Sequence, residues 1–187
     1  GQFPGDIYEF TIGDEIFQVL LQNMRAMPRN GAHLVEFAVD VEIFQIGFLG
    51  GLDTNVKGLD ILLRACAKLS IGFTLHIGGN GRLLNTYKRL ATDLGIFDQC
   101  IFYGGVLHSE VPSFMRRLHF FVSASRSETF GIAMVEAMAC GLPVVATDSG
   151  GPRDFITEQN GILAGHEPGQ LADAMNTLMT NYQSFDP

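Results

Sequence analysis

The chain has 187 residues, 47 % hydrophobic and 17 % charged, with 22 glycines, which describes one well-cored domain rich in tight turns and excludes bulk disorder. Its 20 acidic residues outnumber 12 basic ones, for a formal charge of −8, which excludes a protein that grips nucleic acid through its phosphates. Three isolated cysteines, Cys66, Cys100 and Cys140, form no CxxC pair, so neither a zinc site nor a disulfide framework is indicated and a reducing cytosol fits.

Residues 1–44 read as a linker or remnant: an amphipathic helix around Glu15–Met27, a Pro28-Arg29-Asn30-Gly31 turn, then an extended run from His33 to Phe44. From residue 45 to 187, short apolar runs alternate with helical patterns, the order that gives a parallel sheet covered by helices on both faces. Strands are predicted near Ile46–Leu49, Phe73–Ile77, Ile101–Tyr103, Phe120–Ser123, Val144–Ala146 and Ile162–Leu163. Helices fall between them near Gly58–Leu69, Leu83–Leu94, Val111–Leu118, Gly131–Ala139 and Pro168–Thr180. Ser109 sits where an N-cap would start the third helix, with Pro112 in its first turn, and Gly141-Leu142-Pro143 ends the fourth. The expected fold class is α/β, a Rossmann-like doubly wound parallel sheet. No run approaches the roughly 20 apolar residues of a bilayer-spanning helix, and no signal peptide is evident, so a cytoplasmic location is expected.

In such sheets ligands bind in the loops beyond the carboxyl ends of the strands. The first of these loops delivers Lys57 just before a helix, where its charge adds to the positive end of the helix dipole to make an anion site. A solvated surface lysine is the equal alternative on spacing alone. Gly78-Gly79-Asn80-Gly81 follows the second strand but lacks the full GxGxxG spacing, so a tight turn is the better reading and a nicotinamide or flavin has little support. His76 reads as a packed histidine within a strand, whereas His108 and His166 fall in or near loops.

The informative stretch is SRSETFGIAMVEAMACGLPVVATDSGG, Ser125 to Gly151. Its helix is apolar all round, as for an element buried in a larger core, and Glu136 is its one charged residue. An isolated carboxylate there needs strong donors, such as ribose hydroxyls, or a place at a cleft edge. Glu128 lies eight residues earlier, and Thr129, Phe130 and Gly131 between them present backbone amides at the helix entrance, where a phosphate or hydroxyl cluster is favoured. The alternatives are a salt bridge from Glu136 to Arg126 or Arg153 and simple helix capping by Glu128.

The Glu-seven residues-Glu spacing of Glu128 and Glu136 within SETFGIAMVEAMACGLPVVATDSGG strongly resembles glycosyltransferase family 4 (group 1), whose members have the two-domain GT-B fold. VKGLDILLRACAKL, LHIGGNG, IFYGGV, GGPRDFI and NGILA extend the likeness over roughly Gln45 to Thr180, all within what would be the C-terminal, donor-binding domain. The resemblance implies a retaining transferase using a UDP- or GDP-linked sugar, with no metal and no other cofactor. Glu136 would hold the donor ribose, Glu128 the hydroxyls of the transferred sugar, and the Phe130 and Gly131 amides would face that sugar. The Ile132 amide and Lys57 would address the diphosphate, and backbone near Val106 would read the nucleobase. Glu128 and Lys57 are thereby the candidate catalytic groups, and Thr129 belongs to the donor-binding set.

Two departures accompany the likeness. Where many relatives carry an arginine beside the lysine loop, this chain has Gly51. The N-terminal domain that supplies the acceptor site has no counterpart in residues 1–44, so the chain alone is expected to bind donor without completing transfer. The acceptor, a sugar, a lipid or a polysaccharide, is not readable, and a lipid or polysaccharide would place the full-length protein at a membrane surface. A GT-B nucleotide-sugar epimerase and a non-catalytic scaffolding domain are the competing readings. Against the second, Glu128, Glu136 and Lys57 are all present.

Overall fold

The computed structural model describes residues 43–185, all within the unit that runs from Asp40 to Pro187. The expectations for a helix, turn and linker in residues 1–42 lie outside the described residues. Six strands, β1 (Phe44–Leu49), β2 (Phe73–Gly78), β3 (Cys100–Gly104), β4 (Phe120–Ser123), β5 (Val144–Thr147) and β6 (Gly161–Ala164), alternate with five helices. These are α1 (Leu59–Cys66), α2 (Leu84–Asp93), α3 (Val111–Met115), α4 (Ile132–Ala139) and α5 (Pro168–Thr180). Among the described residues every strand pairing is parallel, in the order β3-β2-β1-β4-β5-β6. The chain therefore builds outward from β1 in one direction, returns to its other side at β4, and builds outward again. This is the α/β Rossmann-like fold expected from the alternating pattern.

Apolar residues on both sides of the strands explain the burial. Phe44, Ile46 and Phe48 of β1 pack on one face with Leu59, Leu62 and Leu63 of α1, Tyr87 of α2 and Leu171, Met175 and Leu178 of α5. On the other face Phe121, Val144 and Ala146 pack with Phe114 and Met115 of α3 and Met134 and Ala137 of α4. β4 and β5 are buried along their whole length, as strands covered on both faces must be.

Helix ends differ from the sequence reading where tighter turns intervene. α1 stops at Cys66 because the amides of Lys68 and Leu69 bond back three residues, to the Ala65 and Cys66 carbonyls. α3 is entered not through a Ser109 cap but through a 3-10 turn, His108–Glu110, in which the Glu110 carboxylate accepts the Leu107 amide at 3.1 Å. α4 is apolar all round but not buried all round: Met134 and Ala137 are buried, whereas Ile132 is 67 % exposed and Val135 37 %. Its inner side meets the sheet, and Ile132 turns to the cleft described below. Among the described residues no helix is long and apolar enough to cross a membrane. The three cysteines are free thiols, and burial pushes Cys66 well up and Cys100 up to about 11, which leaves both unreactive at neutral pH.

His76 is the packed strand histidine expected, and its tautomer follows from its neighbours. The Gln45 side-chain amide donates to the Ile43 carbonyl, so its Oε1 is left to accept from His76 Nε2 at 2.7 Å. His76 Nδ1 then accepts the Tyr103 hydroxyl at 2.8 Å. Burial, and then the Arg117 charge, hold the imidazole below its ordinary value of 6.5. The unfolded chain therefore takes up this proton first as pH falls, and folded stability declines below about pH 6.5 until the native imidazole titrates. Urea unfolding between pH 7.5 and 5.5 should show this loss, and His76→Gln should reduce its slope.

Candidate functional site

The strand order reverses direction between β1 and β4, and the loops beyond their carboxyl ends diverge there to leave an open cleft of about 640 Å³. That volume lies in the range of small-molecule sites. Lys57, Val106, Glu128, Thr129, Phe130, Gly131, Ile132 and Glu136 all line it. Eight residues spread over 80 positions of sequence are thus brought to one wall-to-wall space.

Lys57 reaches the cleft from the β1–α1 loop and donates from Nζ to Glu128 Oε2 at 2.6 Å, across the reversal point. The lysine side chain is 39 % exposed and the glutamate 13 %, so the pair has a wet end and a dry end. Glu128 does not cap α4, whose N-cap residue is Gly131 with no side-chain bond. Beneath the carboxylate, Ser125 Oγ lies 3.4 Å from Glu128 Oε2, and the fully buried Thr147 donates its hydroxyl to the Ser125 carbonyl at 2.5 Å. The Glu128 backbone is also fixed: its amide donates to the Ser149 carbonyl, and its carbonyl accepts from the Gly151 amide. The Ser149-Gly150-Gly151 run therefore acts as a backstop for the site loop.

Glu136 faces the same space from α4, about one turn from its start. It meets neither Arg126 nor Arg153, because Arg126 is paired with Asp60 and Arg153 with Asp148. Its neighbour is instead His108, whose Nδ1 is 3.4 Å from Glu136 Oε1. At the start of α4 the amides of Gly131, Ile132 and Ala133 find no acceptor among the described residues and sit in the cleft wall. The site thus gathers one ammonium, two carboxylates and a set of outward amides.

Four residues in or beneath the cleft wall carried little signal in sequence. Ser125 and Thr147 are small hydroxyls of a kind found everywhere, and only the fold stacks them under Glu128. Gly79 and Asn80, read as a plain turn, line the cleft as well. Gly79 is required by packing, since a Cβ there would fall 2.0 Å from the Gly50 carbonyl oxygen, and the Asn80 carbonyl accepts the Leu52 amide. His166 lies elsewhere, with Nε2 3.1 Å from the Asp148 carbonyl. Among the described residues no group of three His, Cys, Asp or Glu side chains gathers to hold a metal ion.

The family model for Glycosyl transferases group 1 matches residues 37–185. The chain belongs to this family. D-inositol 3-phosphate glycosyltransferase 1 of Catenulispora acidiphila is 32 % identical over 179 residues, 79 % of this chain and 43 % of that protein. D-inositol 3-phosphate glycosyltransferase of Mycobacterium bovis is 37 % identical over 142 residues, 72 % of this chain and 29 % of that protein. The chain therefore spans less than half the length of these curated relatives. Among solved structures, Anabaena HepE in complex with UDP and glucose superposes with a TM-score of 0.70 at 26 % identity, over 93 % of this chain and 45 % of that one. The C-terminal domain of the group 1 glycosyl transferase LpcC of Francisella tularensis superposes with a TM-score of 0.65 at 29 % identity, over 77 % and 80 %. This glycosyltransferase domain has the Rossmann-like sheet of GT-B enzymes, and its cleft lies at the switch point of that sheet.

The backstop can be tested by substitution. A Cβ at Gly151 would lie 2.3 Å from the Thr129 carbonyl oxygen, which is backbone and cannot swing aside. Gly151→Ala should cost about 1–3 kcal/mol in urea unfolding, as forced overpacking does. Gly105→Ala, where a Cβ meets nothing within 4 Å, should leave stability nearly unchanged.

Proposed function

We propose that this chain is the donor-binding domain of a retaining glycosyltransferase of family 4, and that its donor is a nucleotide-diphosphate sugar of the UDP type. The observation that carries this reading is the convergence of Lys57, Glu128, Glu136 and the unpaired α4 amides on one cleft at the switch point. Among its structural relatives, HepE is known in complexes with UDP, with UDP-glucose, and with UDP and glucose, which favours uridine over guanosine.

On this reading Glu136 accepts the ribose hydroxyls, and His108 beside it lies at the same end of the donor. The backbone at Val106, also in the cleft wall, meets the base. Lys57 and the Ile132 amide hold the diphosphate, and the Phe130 and Gly131 amides with Thr129 border the transferred sugar. The Glu128 carboxylate accepts from Lys57 Nζ. An arriving diphosphate would share the ammonium and release a carboxylate lone pair toward the sugar hydroxyls. Catalysis would rest on stabilising charge on the departing diphosphate. The acceptor would be met by a further domain of the parent protein, so this chain binds donor without completing transfer.

Calorimetric titration with UDP, GDP and ADP should show saturable binding, tightest for UDP. Glu136→Ala should weaken it about tenfold or more, the loss of hydrogen bonds to a charged group. No sugar transfer should accompany binding in a clean preparation. A folded sample that binds none of the three nucleotides would falsify the reading. Gly51 lines the cleft and a Cβ there meets nothing within 4 Å, so Gly51→Arg has room to add a second cation. That variant should bind UDP several-fold tighter, as expected for one added charge-assisted contact; unchanged affinity would show that position 51 does not face the diphosphate.

A further inference from the structure

We propose that Arg126 is a positioning residue that sets Lys57 for the diphosphate, a role that rests on the donor-binding reading above. The side chain reaches from the loop after β4 to both flanks of Lys57. Its Nη1 donates to the Asn55 carbonyl at 2.6 Å and to Asp60 Oδ1 at 2.8 Å, and its Nη2 donates to Asp60 Oδ2 at 2.7 Å. Its backbone amide donates to the Val56 carbonyl at 2.8 Å. Residues 55, 56 and 60 are therefore bound to a single residue, and Lys57 stands between them.

A second contact closes the same clamp. Gly58 has φ of 67°, in the left-handed region, and a Cβ there would fall 1.8 Å from the Ala124 carbonyl oxygen. The backbone immediately after Lys57 thus lies directly on the strand-end segment that carries Arg126. Glu128, the partner of Lys57, is two residues beyond Arg126. One short segment therefore holds the lysine loop by Arg126 and the lysine head by Glu128.

The chemistry suits a rigid fixture. A guanidinium facing a carboxylate in a fork holds orientation as well as distance, which a lysine could not. Asp60 is drawn upward in pKa by burial, but the Arg126 hydrogen bonds and charge outweigh this and hold it below the usual carboxylate range. The pair is consequently intact at neutral pH. Asp60 and Arg126, 29 % and 37 % exposed, are not among the residues that line the cleft. Their effect on the donor passes through Lys57.

The test compares Arg126→Ala with Arg116→Ala, an exposed arginine on the end of α3, in the full 187-residue chain. Asp60→Asn, which keeps the shape and removes the charge, serves if Arg126→Ala does not fold. Without ligand, hydrogen exchange over residues 53–62 should speed up about tenfold in the clamp variants and not in Arg116→Ala, since exchange reports local opening. With UDP and UMP as probes, the clamp variants should lose about tenfold in UDP affinity, as for one charge-assisted contact, with little change for UMP. Adding Lys57→Ala to Arg126→Ala should then cost nothing further for UDP, because both remove the same contact. Unchanged exchange, a retained UDP preference, or additive losses would overturn the positioning role. A wild-type chain that binds neither nucleotide would overturn the donor reading instead, and exchange alone would then decide whether the clamp holds the loop.

Discussion

The site depends on one ion pair that spans the place where the sheet changes direction. Lys57 and Glu128 come from loops after β1 and β4, strands adjacent in the sheet although 71 residues separate the two side chains. A parallel sheet that builds outward in both directions from its first strand must open a gap between those loops, and opposite charges from its two sides meet across it. One end is wet and the other dry, so the pair stands between an exposed one, worth up to ~1 kcal/mol, and a buried one, whose Coulombic gain is offset by desolvation. On the donor-binding reading, a diphosphate would compete with Glu128 for the same ammonium.

Everything around the pair serves to hold its two loops still. Thr147 and Ser125 support the carboxylate from below, the Ser149–Gly151 backstop fixes its backbone, and Arg126 with Gly58 fixes the lysine loop. These supports are mostly backbone bonds and small residues. A site on loops is thereby given the precision ordinarily expected of helices and strands.

The strand positions were legible because buried parallel strands are continuous apolar runs with glycine and proline between them, and all six fall where those runs do. The eight cleft residues were legible through the Glu128–Glu136 motif and the family likeness it carries, since spacing alone left Lys57 and both glutamates open to ordinary surface roles. What escaped the sequence was partnership. Nothing in the string tells that Lys57 meets Glu128, that Arg126 chooses Asp60 over Glu136, or that α4 leaves Ile132 and Val135 in solvent. Those outcomes depend on which neighbours the sheet order brings within a few ångströms. An apolar helix reads as buried from composition, yet its burial here is decided by how much of the fold lies on each of its sides.

On the donor-binding reading, the same geometry separates binding from turnover. With Lys57 39 % exposed, its attraction for a phosphate 4 Å away falls between ~1 kcal/mol in bulk water and ~4 kcal/mol at an effective dielectric of 20. One or two such contacts with the α4 amides can hold a nucleotide, since each 1.4 kcal/mol is about tenfold in affinity. Glycosyl transfer asks for much more, because enzymes lower their barriers by about 8–23 kcal/mol. The open side of the cleft would have to be covered for the same charges to act at lower dielectric and for an acceptor to be oriented, an effect of roughly 7–11 kcal/mol when well arranged. On that reading, recognition of a donor would need only the contacts that line this cleft, whereas transfer would need the exclusion of water as well.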